Sequence, residues 1–363
     1  MARRRPTIEG VLELKAQAAA VRRTAGLALD DTTQAETLAA SKTLDSVANS
    51  QLRQLNAQQE PVLVLPNNAS EIELLRARQH RAVQRDKALY LPVSRSDTVA
   101  LPNVLLRSAL WSSANAAALF VTDQNVPTQG DASIRLTGRM MRGYDRRVLA
   151  ACLSCMPADQ PLCVGTRPNW ICVSVWQLSQ KLQVAFGRNV HAAVLESLGR
   201  LDDAWLRVRL KGNDLPACRL LELDDDTRAL VLSDNHSAQR GSDLVTFRIP
   251  AELAALFGPA SWSAVSEAAL HDHSGLPAWL ASYYSTHAVP YPLSIVALRS
   301  WSGSVCDLRE FRRRLKRALA QLQHDDVPEG FRVAAFELTD SHVTVYLARW
   351  QPRDVRDGIA LKG

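Results

Sequence analysis

Apolar positions recur three and four apart in three stretches, and each predicts a helix with one buried face. In YDRRVLAACLSCM, residues 144–156, these are Val148, Leu149, Cys152, Leu153 and Met156, and Pro157 closes the segment. In RNVHAAVLESLGRL, 188–201, they are Val190, Val194, Leu198 and Leu201. In SVCDLREFRRRLKRALAQLQ, 304–323, Val305, Leu308, Phe311, Leu315, Leu319 and Leu322 form one stripe, while Arg309, Arg313, Lys316 and Arg317 project elsewhere on the cylinder. Shorter helices are expected at WQLSQKL (176–182) and SIVALRSW (294–301), and a longer one at LPAWLASYYSTH (276–287). Strand-like runs are SIRLTG (133–138), WICVSV (170–175), AWLRVRL (204–210), CRLLEL (218–223), ALVLS (229–233), FRVAAFEL (331–338) and HVTVYLARW (342–350).

The order of these elements carries more than any one of them. Helix, strand, short helix, Gly187 turn, helix and strands run from 144 to 233, and helix, rigid turn AVPYPL, short helix, Gly303 turn, helix and two strands follow from 276 to 350. That is the order of a winged helix, in which the last helix enters the DNA major groove and the hairpin meets the backbone. A generic α+β arrangement competes with it. The expected fold is α+β and helix-rich: an N-terminal accessory arm over 1–95, weakly packed helical or disordered, a first winged-helix domain over 96–235, a second over 240–350, and a C-terminal tail over 351–363. Within the arm, 9–23 and the basic 70–87 read as amphipathic helices without an obvious shared core.

Composition narrows the chemistry. The 363 residues are 47% hydrophobic, enough for two domains and extensions, and 43 Lys+Arg against 37 Asp+Glu give +6 and a pI near 9.1. Such a balance suits nucleic acid or another acidic surface without requiring one. No apolar run approaches a membrane span and the N-terminus lacks a signal-peptide core, so a cytoplasmic protein is expected. Cys152, Cys155, Cys163 and Cys172 invite a zinc reading, yet they lack a second close pair. Cys152 and Cys155 follow helical spacing and Cys172 sits in a strand, so buried thiols are expected, with no metal and no cofactor. His271-Asp272-His273 with Tyr283-Tyr284 has the parts of a DNA-nicking site. Asp stands where that site needs a hydrophobe, however, and Tyr284 belongs to a helix face; no phosphate-binding Gly-rich loop exists either. The expectation is a protein that is not an enzyme.

Three stretches carry a family resemblance: PNVLLRSALWSSAN (102–115), LTG (136–138) with the helices through LESLGRL (195–201), and YSTHAVPYPLSIVALR (284–299). Across about 102–323 the chain resembles the TrfA-type plasmid replication initiators. The resemblance implies two tandem winged-helix domains that bind double-stranded direct repeats, iterons, in a plasmid origin, with a role in plasmid copy control. It also implies self-association, dimeric when free and monomeric on DNA, and contacts with the host replicative helicase and the host chromosomal initiator. The family's sliding-clamp motif has one counterpart here, QLRQLN at 51–56, which lacks the aromatic residue. Residues 205–260 match the family poorly, and the last helix is richer in arginine than its pattern.

The DNA-contact candidates in the second domain are Arg309, Arg312, Arg313, Lys316 and Arg317, since arginine has the fork that binds guanine edges or phosphate. In the first domain they are Arg188, Asn189 and His191 on the helix, with Arg207, Arg209 and Lys211 on the expected wing. A winged-helix transcriptional regulator on operator DNA remains the alternative, because the fold serves both roles.

Overall fold

A computed structural model describes residues 8–25, 31–57, 69–86, 88–92, 97–113, 119–233, 240–258, 261–289 and 291–349. The chain forms two compact units, Met1–Ala88 and Leu89–Gly363. The first holds α1 (Ile8–Ala25), α2 (Asp31–Ala57) and α3 (Glu71–Asp86). On α1 the buried residues Val11, Ala18 and Ala25 are seven apart, matched on α2 by Ser41 and Ala48, and the Ser41 hydroxyl donates to the Ala18 carbonyl at 3.1 Å. One narrow stripe of small residues joins the two helices and leaves Leu12, Leu38 and Val47 exposed. The side chains of QLRQLN from Leu52 to Asn56 lie outside the described residues, as does the tail 351–363.

The second unit has one continuous apolar core, running from Val99 to Leu347. It opens with β1 (Thr98–Pro102) and α4 (Asn103–Leu106). A sheet follows from β2 (Phe120–Val126) and β3 (Ala132–Arg139); then come α5 (Gly143–Ser154), β4 (Ile171–Ser174), α6 (Val175–Lys181) and α7 (Arg188–Asp203). Next are β5 (Trp205–Leu210), β6 (Cys218–Arg219), β7 (Glu222–Leu223), α8 (Asp225–Leu232) and β8 (Leu244–Arg248). The second half comprises β9 (Trp262–Ser266), α9 (Glu267–His271), α10 (Gly275–Tyr284), β10 (Leu293–Ser294), α11 (Ile295–Trp301), α12 (Leu308–Gln321), β11 (Val333–Leu338) and β12 (His342–Leu347).

Both halves repeat one topology. In the second, β10, β12 and β11 lie in that spatial order, so the strand that comes last in sequence of the three sits in the middle. In the first, β4, β8 and β7 do the same around α5, α6 and α7. The short helices match closely. Ser174 and Ser294 are their N-caps, followed by buried Val175 and Ile295, exposed Trp176 and Val296, and fully buried Leu178 and Leu298. β1 pairs antiparallel with β9, Val99 opposite Val265, and so joins the leaders of the two halves.

Two strand expectations and the placing of the wing are corrected in the first half. ALVLS belongs to α8: Asp224 accepts a hydrogen bond from the Thr227 amide at 2.9 Å, and Asp225 and Asp226 stand in the first turn, where carboxylates favour a helix start. CRLLEL is two short strands in different sheets, divided by the fully buried Leu220 and Leu221. AWLRVRL is no wing. As β5 it lies inside the sheet ordered β6, β5, β3, β2, with Leu206 and Val208 inward and Arg207 and Arg209 outward.

Candidate nucleic-acid interface

The amphipathic pattern of α12 is met by the structure, except at its start. Asp307 caps the helix, accepting from the Glu310 amide at 2.8 Å. Val305 therefore precedes the helix and is 85% exposed, so it is no part of the stripe. Phe311, Leu315, Leu319 and Leu322 are fully buried, and α12 packs on α10, α11 and β11. At about 100° of turn per residue, Arg309, Arg313, Lys316 and Arg317 fall within an arc of about 100° opposite that buried face.

The cations on α12 differ in what they already hold. Arg313 donates to Glu310 at 2.7 and 2.9 Å, and Arg314 donates to the same carboxylate at 2.7 Å. Those hydrogen bonds from Arg313 and then Arg314 hold the Glu310 carboxyl down to about 2. Arg312 is turned away from the arc, donating to the Thr339 carbonyl and to Asp340 at 3.1 Å each, and so ties the helix to the tip of the β11–β12 hairpin. Among the described residues, Arg309, Lys316 and Arg317 enter no ion pair, and Lys316 and Arg317 are exposed beside the half-exposed Arg313–Glu310 pair.

The turn before α12 is held from two sides. Gly303 has φ of +65°, and a Cβ there would stand 2.9 Å from the Ser112 hydroxyl and 3.1 Å from its Cα. Ser112 donates to the Gly303 carbonyl at 3.2 Å, and the Ser113 amide donates to the Ser302 carbonyl at 2.9 Å. From the other side, Arg299 donates to the Cys306 carbonyl at 3.4 Å and the Ser304 amide donates to the Arg299 carbonyl at 3.1 Å. Farther along the same seam, Arg107 forks onto Thr286, Nε to the hydroxyl at 2.7 Å and Nη2 to the carbonyl at 2.5 Å, closing the C-terminal end of α10. Trp279 donates to the Ser108 carbonyl at 3.2 Å. Arg107 and Arg299 were not among the sequence candidates; both stand in the stretches, 102–115 and 284–299, that carry the family resemblance, and the structure packs those stretches against each other.

The corresponding helix of the first half is built differently. His191 is fully buried, its Nε2 2.9 Å from Asp243, which removes it as a surface contact. Arg188 and Asn189 are exposed at the start of α7, but the arc beyond them carries Ala192, Ala193, Glu196 and Asp203. Its one remaining guanidinium, Arg200, is buried against Asp145 at 2.8 Å, where the Ser197 hydroxyl also donates at 2.6 Å. Arg207 and Arg209 are 73% and 57% exposed on β5, facing Asp123 at 3.7 Å and Asp214 at 3.1 Å, and Lys211 is exposed in the turn that follows. The basic face is thus concentrated on α12.

The nicking-site parts are absorbed elsewhere. Tyr283 and Tyr284 are buried on α10. His271 accepts from Arg147 Nε at 3.1 Å, and burial, then Arg147 and Arg146, push its pKa down to about 4. Of the four cysteines expected to be buried, Cys152 and Cys163 are, Cys155 is partly buried and Cys172 is exposed on β4, a correction to that expectation; burial raises the Cys152, Cys155 and Cys163 thiols. Among the described residues no three His, Cys, Asp or Glu side chains are placed to hold a metal ion, and no helix is long and apolar enough to cross a membrane.

No family model matches the chain, and no curated protein matches it. Among solved structures it is similar to a crystal structure of SeMet derivatives of domain 2 and domain 3 of RctB, at 13% identity and a TM-score of 0.45, over 68% of this chain and 96% of that one. A second crystal structure of RctB domains 2-3 shows 12% identity and a TM-score of 0.36, over 72% of this chain and 94% of the other. At those values neither likeness bears on what the chain does.

Proposed function

We propose that the chain is a replication initiator that binds double-stranded DNA through two tandem winged helices, acting by binding rather than by catalysis. The observation that carries the reading is the face of α12: Arg309, Arg313, Lys316 and Arg317 on one arc, opposite a fully buried apolar stripe, with a short helix and tight turn before it and a β-hairpin after it. This is the arrangement a major-groove helix needs, because one face must dock while the other offers forked donors to guanine edges and phosphates. In this reading α12 enters the groove, the β11–β12 hairpin lies along the backbone, and Arg312 sets the angle between them. Arg188, Asn189, Arg207, Arg209 and Lys211 serve as backbone contacts of the first half. The TrfA-type resemblance supports the finer reading: iterons as the target, a dimer when free and a monomer on DNA, and host helicase and host initiator as partners.

The test is selection of duplexes from a randomised pool with the full chain, followed by alignment of the selected sites with the DNA flanking the gene. Tandem direct repeats beside an AT-rich segment are the expected result. A palindrome would replace the initiator by a transcriptional regulator, because a two-fold dimer demands inverted half-sites. Failure to enrich any duplex would overturn DNA recognition altogether.

A further inference from the structure

Val305 contributes little to the packing of the described residues. It is 85% exposed, in the turn two residues before the cap of α12, and Val296, exposed by 55% near the start of α11, is the second large aliphatic side chain that this helix-turn-helix leaves to solvent. Single exposed aliphatic residues are ordinary on a protein surface. Val305 differs in its setting, because the turn that presents it is fixed rather than loose. Ser302 and Gly303 are held by Ser113 and Ser112, and the Cys306 carbonyl is held by Arg299. A β-branched side chain has few rotamers to lose, so it offers its methyls in a nearly fixed direction. Exposed Arg309 follows four residues later, at the start of the basic arc.

We propose that Val305 reads the 5-methyl group of a thymine in the major groove. This rests on the reading of α12 as the groove helix. The charges beside it determine the occupant: a polyanion will seat on the arc of Arg309, Arg313, Lys316 and Arg317, and the thymine methyl is the apolar group that a DNA major groove presents. The arginines and the lysine of that arc can anchor phosphates or read guanine, but none of them can distinguish thymine from cytosine by its methyl. Val305 supplies that discrimination. Arg299 is a positioning residue for it, acting through the Cys306 carbonyl.

The experiment uses the full chain and a duplex selected from a random pool, in which each thymine is replaced in turn by deoxyuridine, a change that removes the methyl alone. One replacement is expected to weaken the wild type about fourfold, the effect of one lost methyl contact, and to leave V305A unchanged. Thermal melts confirm that V305A folds, as its exposure implies. If the deoxyuridine effect is the same size in V305A as in the wild type, or if no thymine replacement matters, the assignment of Val305 is overturned while DNA binding by α12 stands. If no duplex is selected at all, the groove-helix reading fails and this inference falls with it.

Discussion

Replacing Arg309, Lys316 and Arg317 together by Ala separates DNA binding from folding. None of the three enters an ion pair among the described residues, and the buried stripe of Phe311, Leu315 and Leu319 is untouched, so the melting curve should barely move. Each phosphate contact releases about 0.9 of a counterion, which at about 0.15 M salt corresponds to about a factor of five in affinity. Three lost contacts multiply to about a hundredfold, and the slope of log affinity against log salt should fall by about 2.7. Fluorescence anisotropy with a selected duplex, between about 0.05 and 0.2 M salt, spans the range in which that change of slope is easily read. If one of the three reads a guanine instead, the slope falls by less and discrimination against a scrambled duplex drops by about 1–3 kcal/mol. A triple variant with wild-type slope, affinity and discrimination would show that the basic arc is a solvated face.

Leu315→Ala should cost about 2–5 kcal/mol in chemical denaturation, because it opens a cavity beneath α12 at a fully buried site. Gly303→Ala should destabilise by more than about 1 kcal/mol in the same assay, since it combines a φ of +65° with a Cβ 2.9 Å from the Ser112 hydroxyl; equal stability would mean that the turn can shift. Asp145→Asn should cost about 1–3 kcal/mol, because the buried Arg200 guanidinium loses one of the two carboxylates it holds and keeps only Glu196, read as a drop in the thermal midpoint. His287, between the Tyr283 carbonyl at 2.9 Å and the Tyr291 hydroxyl at 3.0 Å, has its pKa pushed down to about 4 by burial and then by Arg107. The unfolded chain therefore binds the extra proton first. The stability this site contributes is intact above about pH 6.5 and is lost as pH falls towards 4, by about 2–3 kcal/mol, and a His287→Gln variant should flatten that part of the stability profile.

α12 was legible because its pattern is strong and local: six basic residues and five deeply buried apolar ones share a cylinder without conflict. Its start was legible too, in Asp307-x-x-Glu310, a cap followed three residues later by an acid, and that signal would have excluded Val305 from the stripe. His191 was likewise readable as buried, since it stands three and seven residues before Val194 and Leu198 on the same helical face. α8 was mistaken for a strand because the run of Leu230, Val231 and Leu232 outweighed the three aspartates before it. What no local pattern contains is the pairing of β1 with β9, more than 150 residues apart, or the diversion of Arg312 to the hairpin tip. β2 was overlooked because FVTDQNV is polar and mostly exposed, and its place is set by β3 across the sheet.

The contact between Ser112 and Gly303 has a consequence for how such a chain can drift over generations. Position 303 resists any side chain while Ser112 stays as it is, because a single added carbon there already meets the backbone at 112. Beside it, Arg107 and Thr286 are coupled through their side chains, whereas the Ser113 amide holds the Ser302 carbonyl through backbone alone. Change at Gly303 must be matched at Ser112 or be lost, whereas Arg309, Lys316 and Arg317 on the exposed arc of α12 can each alter one residue at a time. The arc can therefore turn over with every new DNA target while the seam beneath it stays fixed, and a lineage would keep its likeness where the halves touch and lose it where they meet their ligand.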